Sequence, residues 1–421
     1  MVLLLMAPDI YAYSLKDAIA SSLKNNQRVQ ISKKQLEIAI LKKPKVAAEF
    51  LPSVNARLAK SFVKYKQFDG IPYTENDPQG SLVLNIEQNI FSGGSSVAKA
   101  IAADAEVNAA YQQYAKELND TIYKSIESYQ SVLTLRELVK VQEKSVEMGE
   151  KSAQKAELNV ESGAETKTSL SVSLANLAAL KSDLESYKVQ KAQVEASFLY
   201  YIGEEAPSDM ESIDATKYQK IATLNDFQSL VNQKNPELLF ARQQLRASKQ
   251  GVNIAASRLA PRVSLFADIL RQDGPVLSTN GVQLRKDGDT YGIRMDIPIF
   301  NNGGADYIAI SEAKKEKQKF DYSLRDTVER IKAEAVSTWD QYTSSINVYN
   351  LALQSEQHYY QTYLGVQLEF EVGAKTIFSV IDRERDYNTS VLNRLRREEE
   401  NKLALFKIYK LIGNLPEVIN S

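Results

Sequence analysis

From Tyr291 to Ile299 the chain alternates one for one. Tyr291, Ile293, Met295, Ile297 and Ile299 are apolar, with Gly292, Arg294, Asp296 and Pro298 between them. A period of two describes a strand with one apolar and one polar face. The same pattern runs through Leu82, Leu84, Ile86 and Ile90, with one break at Gln88. Val263, Leu265, Ala267 and Ile269 predict a third strand, whose polar side is blurred by Phe266 and Leu270. A fourth, over about 53–68, is less regular, because Lys60, Lys64 and Lys66 share a face with Val54 and Phe62. Elsewhere the period lengthens. Residues 95–161 and 305–371 hold no proline and only Gly149 and Gly365. At 1.5 Å per residue each stretch predicts a helix of ~100 Å. Ile122, Ile126, Tyr129 and Leu133 step by 4, 3, 4, as do Tyr342, Ile346, Tyr349 and Leu353, and Leu177, Leu180, Leu184 and Tyr187 step by 3, 4, 3. Such spacing marks a coiled-coil seam.

These elements are written twice. Phe91 and Phe300 lie 209 positions apart, and the same offset relates Leu15-Lys16-Asp17 to Leu224-Asn225-Asp226, Asn26 to Asn235, Leu36 to Leu245 and Pro52 to Pro261. Gly163 and Gly373, like Gly203 and Gly413, are offset by 210, so one residue has been inserted between. The chain divides into a first repeat, 13–203, a linker, 204–220, and a second repeat, 221–421. Each repeat opens with a helix of about 35 residues that stops before Pro52 or Pro261. A strand pair follows, over about 53–68 and 81–91 or 262–270 and 289–300, with turn-rich stretches at 69–80 and 271–288. Long helical hairpins over 95–202 and 305–412 complete the repeats, interrupted only at Gly163 and Gly373.

Composition removes several chemistries. The 421 residues include no cysteine and one histidine, His358, which lies in a helical pattern. Thiolate nucleophiles, disulfides and Cys/His zinc sites are excluded, and no phosphate loop or metal-ligand spacing occurs, so neither catalytic residues nor cofactors are expected. A net charge of −1 gives no basic footprint for nucleic acid. Residues 1–12 resemble a signal peptide without its basic start.

Strands of 9–11 residues can cross a bilayer when tilted, but four cannot close a barrel. Lipid-embedded strands of this kind require partners from other chains. A soluble periplasmic coiled-coil scaffold or adaptor is the rival reading. Adaptors, however, carry one hairpin flanked by β-rich halves, whereas here the whole unit is duplicated.

The order helix, strand, strand, long hairpin, written twice, resembles the TolC family of outer-membrane efflux and secretion channels over residues 14–416. MDIPIFNNGG (295–304) carries the resemblance most specifically, with IEQNIFSGG (86–94), the FLP and LAP stops (50–52, 259–261) and FEVGAKTIFSVID (370–382). The resemblance implies an α+β membrane protein: a homotrimer with a 12-stranded transmembrane β-barrel in outer-membrane lipid, continuous with a periplasmic α-helical barrel. Its partners would be a periplasmic adaptor and an inner-membrane transporter in an efflux pump or type I secretion system of a Gram-negative bacterium. Pro298, Phe300, Gly303 and Gly304, with Phe91, Gly93 and Gly94, would mark the strand-to-helix transitions. Of the family's two acidic rings at the tunnel tip, one falls on Asp382 and the other on Ser379, which leaves that ring without a carboxylate. The latch positions fall on Lys375 and Phe370, facing Thr168 and Ser169. The turns containing Gly163, Ala164, Gly373 and Ala374 would contact the adaptor. Within DRERD (382–386), Asp382 could equally belong to a solvated helix face.

Overall fold

The computed structural model describes residues 12–63, 77–218, 221–273, 287–300 and 302–420. The predicted N-terminal signal segment and most of both turn-rich stretches lie outside them. In chain order the elements are α1 (Leu15–Asn25), α2 (Gln27–Ile40), α3 (Lys42–Ala47), β1 (Ser53–Val63), β2 (Asp77–Ser92), α4 (Ser95–Glu161) and α5 (Lys167–Ile202). The second repeat supplies α6 (Leu224–Lys234), α7 (Pro236–Ala256), β3 (Arg262–Asp273), β4 (Gly288–Asp296), α8 (Ala305–Glu371), α9 (Ile377–Ile412) and α10 (Leu415–Asn420). Two compact units each draw on both repeats. One gathers the chain up to Lys34, Gln112–Leu239 and Thr327–Ser421, and the other Gln35–Tyr111 and Phe240–Asp326.

The second unit holds the sheet. Its strands are antiparallel, in the order β1-β2-β3-β4. Register places Val54, Ala56 and Leu58 opposite Ile86, Leu84 and Leu82, and Ile86 and Leu84 opposite Ala267 and Ile269. Ala267, Leu265 and Val263 face Tyr291, Ile293 and Met295. One apolar face therefore runs across all four strands, and it is bare, with Leu58 80% and Ile293 72% exposed. The opposite face is polar at its centre, where Asn85 Nδ2 donates to Asp268 Oδ1 at 2.7 Å. On that face the Arg294 guanidinium lies 4.4 Å from the Phe266 ring centroid. A bulge between Asn89 and Phe91 shifts the alternation, so that Phe91 rather than Ile90 pairs opposite Val263. Gln88, the break in the pattern, turns its amide to the Phe50 carbonyl at 3.0 Å. β4 ends at Asp296, four residues before the expected 300.

The opening helix of about 35 residues is not continuous in either repeat. It breaks at Asn26, again at Leu41, and at Asn235. The two asparagines do the same work. Asn26 Oδ1 accepts from the Arg28 amide and Asn235 Oδ1 from the Leu238 amide, each at 2.9 Å, which caps the next helix. Their Nδ2 atoms donate to the Tyr201 carbonyl at 3.4 Å and the Leu411 carbonyl at 2.7 Å, near the C-termini of α5 and α9. Before each proline a 3₁₀ turn leads into an extended residue, Leu51 (φ −96°, ψ 154°) or Ala260 (φ −90°, ψ 154°), as the proline ring requires.

The first unit's core lies where these helix ends meet the hairpins. Ile122, Ile126 and Tyr129 of α4 pack with Phe198 and Ile202 of α5 and with Leu15 and Ile19 of α1. In the second repeat Phe227 and Val231 meet Ile331, Phe406 and Ile412, and the Phe227 ring stacks on Trp339 at 5.9 Å. The linker is pinned to α4. Tyr129 Oη lies 2.7 Å from the carbonyls of Tyr13 and Glu211, while Arg136 donates to the carbonyls of Ala206 and Pro207.

Asn235 is 4% exposed, so removing its amide costs the cap and orphans a buried carbonyl. Asn235→Ala is expected to lose about 2 kcal/mol of stability, seen as a lowered thermal midpoint. Asn26→Ala, with its longer contact to Tyr201, should lose less.

Candidate functional site

The hairpins α4–α5 and α8–α9 reverse by one device used twice. Gly163 (φ 78°) and Gly373 (φ 77°) occupy the left-handed region that a side chain disfavours. The Gly163 amide donates to the Val160 carbonyl (3.1 Å) and the Ala164 amide to the Asn159 carbonyl (2.8 Å). Gly373 and Ala374 repeat this on Phe370 (2.9 Å) and Glu369 (2.8 Å). This is a Schellman motif, which satisfies the last carbonyls of α4 and α8. Thr166 and Thr376 then start the returning helices from extended conformations, and Thr166 Oγ1 accepts from the Ser169 amide at 3.2 Å. Both Gly-Ala pairs are exposed.

Around the second turn lies a small apolar cluster. Tyr363, Ile377, Val380 and Ile381 are buried, with Met148 of α4, Val366, Phe370 and Tyr387 packed against them. The Tyr363 and Tyr387 rings stack at 6.0 Å. Lys155 of α4 places its ammonium 5.0 Å from the Phe370 ring centroid, so this aromatic engages a cation from the first hairpin. Lys375 is exposed. Thr168 is exposed, and Ser169 is buried and bonded to Thr166, so within one chain neither is joined to Lys375. Asp382 is half exposed, with Arg385 at 3.2 Å on its own helix, and the Ser379 amide donates to the Thr376 carbonyl.

Glu384 belongs to this site, although the sequence reading passed over it as part of a charge run. It is 5% exposed, and its Oε1 has no hydrogen-bond partner among the described residues. Desolvation pushes its carboxyl up to about 7. A signal was present. Ile377, Val380, Ile381, Glu384, Tyr387 and Val391 lie on one helical stripe, and Glu384 is the charged position within it.

At the transitions from sheet to helix, the two repeats differ. β2 runs through Phe91 to Ser92, then turns at Gly93 and Gly94 (φ 63° and 83°). A Cβ at Gly93 would lie 2.6 Å from Ala260 Cβ and 2.7 Å from the Ser257 carbonyl oxygen, so no side chain fits there. In the second repeat Pro298 lies beyond the last paired residue and Phe300 is 75% exposed. Gly303 and Gly304 (φ 62° and 85°) lead into α8.

Residues 228–414 match the family described as outer membrane efflux protein. A curated relative, outer membrane efflux protein BepC of Brucella suis biovar 1 (strain 1330), is 19% identical over 356 residues, covering 82% of this chain and 74% of BepC. Among solved structures, CusC, described for its transmembrane channel formation, superposes with a TM-score of 0.83 at 15% identity, over 94% of this chain and 91% of its own. The CmeC outer membrane channel of Campylobacter jejuni gives 0.81 at 16% identity, over 95% and 85%. These likenesses extend across both repeats, and at such low identity they speak for the fold.

If the Lys155–Phe370 contact joins the two hairpins, its energy should show as coupling. A double-mutant cycle with Lys155→Met and Phe370→Leu is expected to give about 0.5–1 kcal/mol in thermal unfolding. Additive effects would mean that the two side chains merely lie close.

Proposed function

We propose that the chain is the outer-membrane exit duct of a tripartite efflux pump or type I secretion system. The observation that carries this reading is the four-stranded sheet, with one bare apolar face, one polar face, and an unpaired edge on each of β1 and β4 in the single chain. Strands of 9–16 residues suffice to cross hydrocarbon when tilted. In a membrane barrel the apolar face meets lipid and the polar face lines the lumen. Neither edge is tolerable in lipid, and three copies of the sheet give the twelve strands of a closed barrel. A soluble periplasmic scaffold would have to leave that whole apolar face against water. No helix among the described residues is long and apolar enough to span a membrane.

The helical hairpins then reach into the periplasm of a Gram-negative cell. The Gly-Ala turns at their tips meet a periplasmic adaptor, which joins the duct to an inner-membrane transporter. Small residues there let partner helices approach closely. Transport energy comes from that transporter, so this chain is a conduit and not an enzyme. Three Asp382 carboxylates converging near the axis would repel one another and attract cations. Ser379 supplies no second ring.

Purified trimer in a planar bilayer should show discrete, cation-selective openings. Asp382→Ala should enlarge them or reduce their selectivity. Openings indifferent to the substitution would remove Asp382 from the constriction. A verified, folded oligomer that never inserts would overturn the duct itself.

A further inference from the structure

The α8–α9 tip contains a carboxyl group in a place where a charge is costly. Glu384 stands in the buried stripe of α9, between Ile381 and Tyr387, where an apolar residue would be expected. One carboxyl oxygen is sealed from solvent without a donor. The cluster it adjoins is aromatic and aliphatic: Tyr363 of α8 and Val380 and Ile381 of its own helix, with Met148 of α4 packed against them. The titratable groups on this side are phenols, with the Arg394–Glu356 ion pair beyond Tyr387 and the Lys155 ammonium of α4 over the Phe370 ring. Tyr363 is pushed up to about 12, first by burial and then by Glu384 itself. Tyr360 and Tyr387 lie within 5.1 Å of each other, centroid to centroid. The neighbouring arginines of α9 are committed elsewhere, Arg383 to Asp386 at 2.9 Å and Arg385 to Asp382 at 3.2 Å. No cation among the described residues is shown paired with Glu384.

We propose that Glu384 is a proton-operated clasp. In its protonated form it lets the α8–α9 tip pack closed against α4, and in its ionised form it drives that packing apart. The proposal deepens the duct reading, because the segment it controls carries Asp382 and the Gly373-Ala374 turn. The proton passes to water as the carboxyl leaves the cluster, and nothing else is exchanged.

The direction follows from the linkage. Burial favours the protonated form, so the packed tip holds its proton to higher pH than the opened tip does. Packing is strongest below the ordinary glutamate range. It weakens as pH rises toward about 7, where the packed form also ionises, and changes little beyond that. The first hairpin is a built-in control. Leu174 stands at the position equivalent to Glu384, offset by 210, and cannot titrate.

Hydrogen exchange of the full-length, detergent-purified trimer tests this without requiring channel activity. Protection of residues 377–391, corrected for the intrinsic pH dependence of exchange, is expected to fall by tenfold or more from about pH 5 to about pH 8. Protection of 167–181 should not change. Glu384→Gln and Glu384→Leu should each hold 377–391 protected across the range, while Asp382→Asn keeps the wild-type response. A wild-type tip whose protection does not respond to pH, or a fall that survives both Glu384 substitutions, would overturn the clasp. Conductance recorded from the same preparations separates the two readings: a pH-dependent tip in a protein that forms no channel would sink the duct and leave the clasp standing.

Discussion

A strand inside hydrocarbon has no water to satisfy the amides and carbonyls along its edge, and on the proposed duct reading that constraint governs the molecule. The sheet built by one chain has two such edges, on β1 and β4, and an apolar face that its own helices do not cover. Either feature alone could belong to a soluble protein that covers its sheet with a partner. Together, on the duct reading proposed above, they call for sheets from other copies of the chain. The duplication fits this need, since each repeat contributes one strand pair and one hairpin. β2 and β3 join the two repeats in the middle of the sheet through an extended register, interrupted by the bulge between Asn89 and Phe91.

Duplication is also visible in the small devices that hold the helices. Ser14 accepts from the Asp17 amide and Thr223 from the Asp226 amide, capping α1 and α6 at equivalent positions, and at α1 the Asp17 carboxylate also accepts from the Ser14 amide. Asn26 and Asn235 break the following helix, cap its continuation and bond to the end of the returning hairpin helix. The Schellman turns at Gly163 and Gly373 match bond for bond. The tips then diverge. The second carries the tyrosine cluster and the buried Glu384, while the first carries Leu174, 50% exposed. That divergence is where control of an otherwise symmetric framework would be built.

Much of this was legible in the sequence for physical reasons. A stretch of 67 residues without proline can remain one helix, and α4 and α8 do so. Alternation of period two assigns each strand residue to a face, and β1 to β4 keep those faces in register. What escaped depends on contacts distant in sequence. Nothing near Asn26 announces a break, because its amide reaches a carbonyl 175 residues away, whereas at Asn235 the following Pro236, the first residue of α7, was a local signal. The bulge before Phe91 arises from pairing with β3, which the local pattern around Ile90 does not contain. Glu384 was hidden by its neighbours: a run of charges reads as solvated unless its residues are placed on the helical stripe one by one.

The central claim is that separate chains close one sheet, and inter-chain cross-linking tests it most directly. The natural chain has no cysteine, so thiols placed at Ala56 on β1 and Ile293 on β4 would be the only ones present. Both positions lie on the apolar face of an edge strand. A short bis-maleimide on membranes carrying Ala56→Cys/Ile293→Cys should give covalent species that stop at three chains, with neither single variant able to form them. Cross-linking only within single chains, or a ladder that continues beyond three, would contradict the closed trimeric barrel.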